Sequence, residues 1–161
     1  MNYGSELKIK TLVLGLGNPI LSDDGAGFYV AEKLKGRLNH TDITVEQASA
    51  GGLAILDLLS GYDKAIIIDA IKTQKGEAGQ IYLLKLEDFI NTWHTGSPHD
   101  TDFYTALALG KALDMPLPAD IDIFAIEVED VTTFSEKCTP KVNEAIQKVI
   151  EMVALELSQP G

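Results

Sequence analysis

The stretch LGLGNPILSDDGAG, Leu14 to Gly27, begins as a strand and ends as the start of a helix. Between the two lie glycines, an Asn-Pro pair and the adjacent carboxylates Asp23 and Asp24. A glycine-rich turn from strand to helix ordinarily cradles a phosphate on the helix N-terminus. The dinucleotide fingerprint G-x-G-x-x-G is met at Gly15 and Gly17 but fails at Ile20, the third glycine position. No G-x-x-x-x-G-K-[ST] run is present either. Carboxylates suit a helix N-terminus because of its dipole, but they would compete with a pyrophosphate for that place. Nucleotide binding is therefore a minor alternative.

Working outward, the residues up to Gly17 read as a strand buried on both faces, because KTLVLGLG is almost wholly apolar. GAGFYVAEKLKGRL carries Phe28, Val30, Ala31, Leu34 and Leu38 at helical spacing, which predicts a helix over 25–38. Strands are expected at 42–48, 63–71, 79–86 and 120–128. The second of these, DKAIIIDAI, reads as a buried strand ending at Asp69, and 79–86 as another buried strand. Helices are expected over 53–60, over 101–115 up to the Pro116 and Pro118 pair, and over a long amphipathic C-terminal segment with Pro140 in its first turn. Strands alternate with helices throughout. The expected fold is α/β and three-layered, a mostly parallel twisted sheet with helices on both faces, in one domain over 1–161. Asn91 to Thr101 reads as a surface loop before a helix.

The chain has 161 residues and a formal net charge of -11. That charge repels nucleic acid and anionic membranes. No apolar run approaches the roughly 20 residues that span a bilayer, and the N-terminal stretch MNYGSELKIK has no apolar signal core. With Cys138 the single cysteine, no internal disulfide can form. A cytoplasmic chain is the expectation.

Three residues stand out as candidate ligands. Asp24 closes the glycine loop, Asp69 follows the apolar run AIII, and His99 lies in SPHD before a helix. In open parallel sheets ligands bind beyond the carboxyl ends of the strands, so adjacent first and third strands would bring Asp24 and Asp69 to one cleft. Two hard oxygens and a borderline nitrogen suit nickel, zinc or manganese. Each residue also has an ordinary use: Asp23 or Asp24 as a helix cap, Asp69 as a turn cap, His99 as a plain loop histidine. Cys138 opens the last helix, where a thiolate can be stabilised, but a structural thiol is the stronger reading.

Taken together, GLGNPILSDDGAG, AIIIDA, SPHD and CTPKV occur in an order and spacing that resemble the hydrogenase maturation endopeptidases. These enzymes process the C-terminus of the large subunit of nickel–iron hydrogenases. The resemblance spans nearly the whole chain and implies a five-stranded sheet between helices. It implies that Asp24, Asp69 and His99 form a metal site and carry the activity, and that Asp23 is not a ligand. It implies a nickel-dependent endopeptidase, acting as a monomer on the large-subunit precursor, with the nickel carried by that precursor. Either the metal or a carboxylate, as in an aspartic-type mechanism, would activate water. A chaperone that senses nickel without cutting would use the same three ligands. One departure is Gln47, at a position where many members have the Asp of an Asp-Gly-Gly segment; Gly51 and Gly52 follow it. His40 and His94 have no role in this scheme.

Overall fold

The computed structural model describes residues 8–49, 52–88 and 98–158, and of residues 52–53 and 98–103 the backbone alone. Its centre is a five-stranded sheet in the order β2-β1-β3-β5-β4. β1 (Thr11–Leu16) is buried at every position. β3 (Lys64–Ile71) and β5 (Asp120–Glu127) are buried at all but their first residue. These inner strands are covered on both faces, which is why their sequences show continuous apolar runs rather than alternation. β2 (Ile43–Ala48) lies at one edge, half-buried throughout, and pairs in parallel with β1.

Helices α1 (Ala26–Arg37) and α4 (Pro140–Ser158) cover the face that carries Val13, Ile66, Ile68, Phe124 and Ile126. Helices α2 (Gly52–Leu59) and α3 (Pro98–Ala112) cover the other face, with Leu12, Leu14, Ile67 and Ile123. In α4 the buried residues are Val142, Ala145, Ile146, Val149, Ile150 and Val153, one stripe at helical spacing. Its first residue is Pro140, where a missing N–H costs nothing. Side chains such as these contribute about 1.5–3 kcal/mol each when fully buried.

Several elements differ from expectation. The strand expected over 79–86 forms as β4 (Ile81–Lys85), and it is a half-exposed edge strand rather than a buried one. It also runs antiparallel to β5. The segment 72–80 that precedes it is too short for the dozen or more residues of a parallel crossover, so the chain turns back instead. β3 keeps the expected bound at Ile71, continuing past Asp69 along β5. Its pairing with β1, however, stops at Ile68 opposite Gly15. α3 begins at Pro98, three residues before the expected Thr101, and most of the loop read at 91–101 lies outside the described residues, as does His94.

The strand order fixes where a ligand can sit. From β1 the chain moves outward to β2, then crosses back to β3 on the other side of β1. The crevice beyond the carboxyl ends of β1 and β3 is thus the topological switch point of the sheet, the position where such folds bind ligands.

Candidate active site

The glycines after β1 are there for close approach, not for a phosphate. A Cβ on Gly27 would lie 2.1 Å from the Ile68 carbonyl oxygen and 2.6 Å from that of Leu16. The first turn of α1 is therefore seated directly on the ends of β1 and β3. Gly17 has φ +141°, and a Cβ there would lie 2.1 Å from the carbonyl oxygen of Asp24. Between them Ser22–Gly25 forms one turn of 3₁₀ helix, also packed against β3. The Asn18 side chain accepts a hydrogen bond from Ile20 N, and the Tyr29 hydroxyl donates to the Pro19 carbonyl. Burial pushes the Tyr29 pKa up.

This geometry delivers Asp24 to the switch point. Its Oδ2 accepts a hydrogen bond from Asn18 N at 3.1 Å. A loop N–H that would serve a phosphate in a dinucleotide site here serves a carboxylate, which removes the physical basis for the nucleotide reading.

Asp69 reaches the same crevice from below. It is the first residue of β3 beyond the β1 ladder and is 5 % exposed. Its Oδ1 accepts from Ala70 N at 2.9 Å, and its Oδ2 accepts weakly from the Tyr104 hydroxyl at 3.4 Å. Tyr104, on α3, is itself buried. Alternation along β3 puts Asp69 on the side of Ile67 and Ile71, beneath α2 and α3. Asp24 and Asp69 thus come from different segments, the turn after β1 and the end of β3's pairing with β1.

His99 stands in the first turn of α3, and its side chain lies outside the described residues. Its backbone position is informative. α3 leads into β5, which is parallel to β3, so its N-terminus lies at the carboxyl end of the sheet. From Tyr104 to His99 is a rise of roughly 7.5 Å along the helix axis toward that end. Among the described residues no three His, Cys, Asp or Glu side chains converge on one point.

Asp23 does not cap its own helix, contrary to expectation. It is fully buried and points across to residues 129–139. Oδ2 accepts from Glu129 N at 3.2 Å and Asp130 N at 3.0 Å, and Oδ1 from Thr139 N at 2.7 Å. The Thr139 hydroxyl, at the start of α4, donates to both oxygens, at 3.1 and 2.8 Å. One carboxylate holds both ends of this strap to the loop that carries Asp24. Ser22 adds to the seam through its N–H to the Ser135 carbonyl and its hydroxyl to the Lys137 carbonyl.

Cys138 lies in the strap, half-buried, with its Sγ 3.6 Å from the Ser22 carbonyl. Burial, and then the neighbouring Asp23 carboxylate, push its pKa up to about 12. It is a protonated thiol at neutral pH and no nucleophile. It also stands two residues before α4 rather than within it. Gln47 is turned away from the crevice. Its amide accepts from Lys35 Nζ at 3.0 Å and donates to the Phe28 carbonyl at 2.9 Å, both on α1.

Two buried carboxylates were not singled out from the sequence. Asp122 sits toward the amino end of the sheet and pairs with Lys64 and Lys85. Glu127 ends β5 and accepts from Thr73 N and its hydroxyl, both at 2.7 Å, and from the Tyr82 hydroxyl at 3.0 Å. It fastens the 72–80 segment. Its signal was AIEV, a charge flanked by apolar residues. Tyr104 was also missed; it carried no signal beyond standing five residues after His99.

Comparison with known proteins places this architecture. A family model described as hydrogenase maturation protease matches residues 28–156, a span that includes Asp69 and His99. The chain is 26 % identical over 158 residues to the hydrogenase 2 maturation protease of Escherichia coli strain K12, covering 95 % of this chain and 93 % of that protein. It is 26 % identical over 157 residues to the hydrogenase expression/formation protein HupD of Bradyrhizobium diazoefficiens, covering 94 % and 80 %. The solved hydrogenase maturating endopeptidase HybD from E. coli superposes with a TM-score of 0.82 at 25 % identity, over 93 % of this chain and 94 % of that one.

Proposed function

The chain belongs to the hydrogenase maturation protease family, and on that premise we propose that it removes the C-terminal extension of a nickel–iron hydrogenase large-subunit precursor, with Asp24, Asp69 and His99 meeting the precursor's nickel. The observation that supports this reading is the place of Asp24 in the turn directly after β1 and of Asp69 in β3 just past its pairing with β1. Nickel arrives with the precursor and belongs to the substrate. Two carboxylates and an imidazole suit it, oxygen with a borderline nitrogen. Each carboxylate is oriented by the chain, Asp24 by Asn18 N and Asp69 by Ala70 N and the Tyr104 hydroxyl.

A precursor without nickel lacks the contact that distinguishes it, so loading becomes a condition of binding. Once the tail is presented, an aspartate at the crevice acts as general base toward water. Water adds to the peptide carbonyl, the C–N bond breaks, and the abstracted proton goes to the leaving amine. The chain acts in this way as a cytoplasmic monomer.

The test is cleavage of the precursor from the chain's own source, with and without inserted nickel, by wild type and Asp24→Asn, read by mass spectrometry. Loss of a C-terminal peptide is expected only with nickel and only with wild type. An uncut, demonstrably loaded precursor overturns the proposal. Equal cutting of the empty precursor overturns the nickel condition.

A further inference from the structure

The strap 129–139 is tied down at both ends and again at Ser135 and Lys137. Asp23 holds both ends, Ser22 holds the Ser135 and Lys137 carbonyls, and Ser135 N donates to the Ile20 carbonyl at 2.9 Å. The Thr133 side chain, then Thr133 N and Thr132 N, donate to the Asp130 carboxylate within the strap and hold its carboxyl below the usual range. Yet Phe134, at its tip, is 81 % exposed. Across the Leu21–Ser135 bridge stands Ile20, 49 % exposed. A scattered apolar residue on a surface is ordinary. An aromatic ring held out in water on a fixed backbone, beside a second exposed apolar residue and on the loop that carries Asp24, is not scattered.

Resting on the function proposed above, we infer that Phe134 and Ile20 are the docking anchor for the precursor, engaging its folded surface beside the C-terminal extension. A ring presented on a pre-ordered backbone loses little conformational freedom on binding, which is what an interface anchor requires. The occupant's chemistry follows from the surroundings. Glu129, Glu136 and Lys137 are exposed on either side of Phe134, acidic in the balance, on a chain of net charge -11. The matching patch is an apolar recess with lysine or arginine at its rim. Continuity with the crevice sets the purpose: a surface seated on the strap places its neighbouring tail over Asp24.

The experiment is steady-state cleavage of nickel-loaded precursor by wild type, Phe134→Ala, Phe134→Trp and Leu155→Ala. Leu155 is 62 % exposed near the far end of α4. Phe134→Ala is expected to raise KM about tenfold, the loss typical of an interface anchor, with kcat and Tm unchanged. Phe134→Trp is expected to keep KM near wild type, as is Leu155→Ala. An unchanged KM in Phe134→Ala, or an equal rise in Leu155→Ala, overturns the inference while leaving the proposed function intact. Failure of wild type to cut overturns both.

Discussion

Asp23→Asn isolates what the buried carboxylate of the glycine loop contributes, since the two side chains share a shape. The carboxylate receives three backbone N–H groups, one at Oδ1 and two at Oδ2, together with the Thr139 hydroxyl. An amide keeps one acceptor oxygen. Its best orientation retains Glu129 N and Asp130 N and sets an NH₂ group against Thr139 N–H. One charge-assisted bond is lost outright and a buried donor is left facing a donor, while the other bonds lose the charge. At about 1.5–3 kcal/mol for a bond to a charged group and 1–3 kcal/mol for a stranded one, with water entry offsetting part, the loss is about 2–4 kcal/mol. Against a typical total of roughly 5–15 kcal/mol, that is large. It corresponds to a Tm lower by roughly 5–15 °C for a domain of this size. Urea unfolding measures the free energy, and amide hydrogen exchange locates it: Glu129, Asp130 and Thr139 should lose protection first. A change below about 0.5 kcal/mol, the range of an indifferent surface substitution, with those three amides still protected, would refute the assignment of Asp23 as the clamp.

Two further outcomes are expected. Gly27→Ala should cost about 1–3 kcal/mol through overpacking and abolish precursor cleavage by lifting Asp24 from Asp69, whereas Gly36→Ala, with nothing within 4 Å of its Cβ position, should gain about 0.5–1 kcal/mol; paired urea titrations check both. Cys138 should resist thiol-specific labelling at neutral pH in the folded protein, and Cys138→Ser should still cut the precursor. Because its folded pKa is raised to about 12 from 9.0, its contribution to stability is fully present below about pH 9 and is lost as pH rises toward 12, which unfolding at stepped alkaline pH would show.

The inner sheet was legible because a strand buried on both faces must be apolar throughout, and KTLVLG, AIII and IDIFAI could be little else. β4 was misjudged for the same reason. IYLLK is apolar enough for a core strand, and its place at an edge depends on β5, which comes later in the chain. Asp24 and Asp69 stood out in the sequence because each interrupts an apolar or glycine-rich run where a charge needs a purpose. Asp23 could not be read, since its partners lie 106 to 116 positions away. Spacing rules operate over a few residues and are blind to such contacts. That the Gln47 amide binds Lys35 and Phe28 follows only from α1 lying over β2.

The distance in sequence that Asp23 bridges has a consequence for biosynthesis. The chain is made from its N-terminus, and the glycine loop, β1 and β3 emerge well before residue 139. Closing a loop of more than a hundred residues is slow and entropically costly, and here it waits on the last strand and the last helix. A nascent chain that stops short of the strap can pair its early strands but leaves Asp23 without the N–H groups of Glu129, Asp130 and Thr139. The clamp at Asp23 is thus completed only after residue 139 has been made, so the glycine loop and its strap are fixed together late.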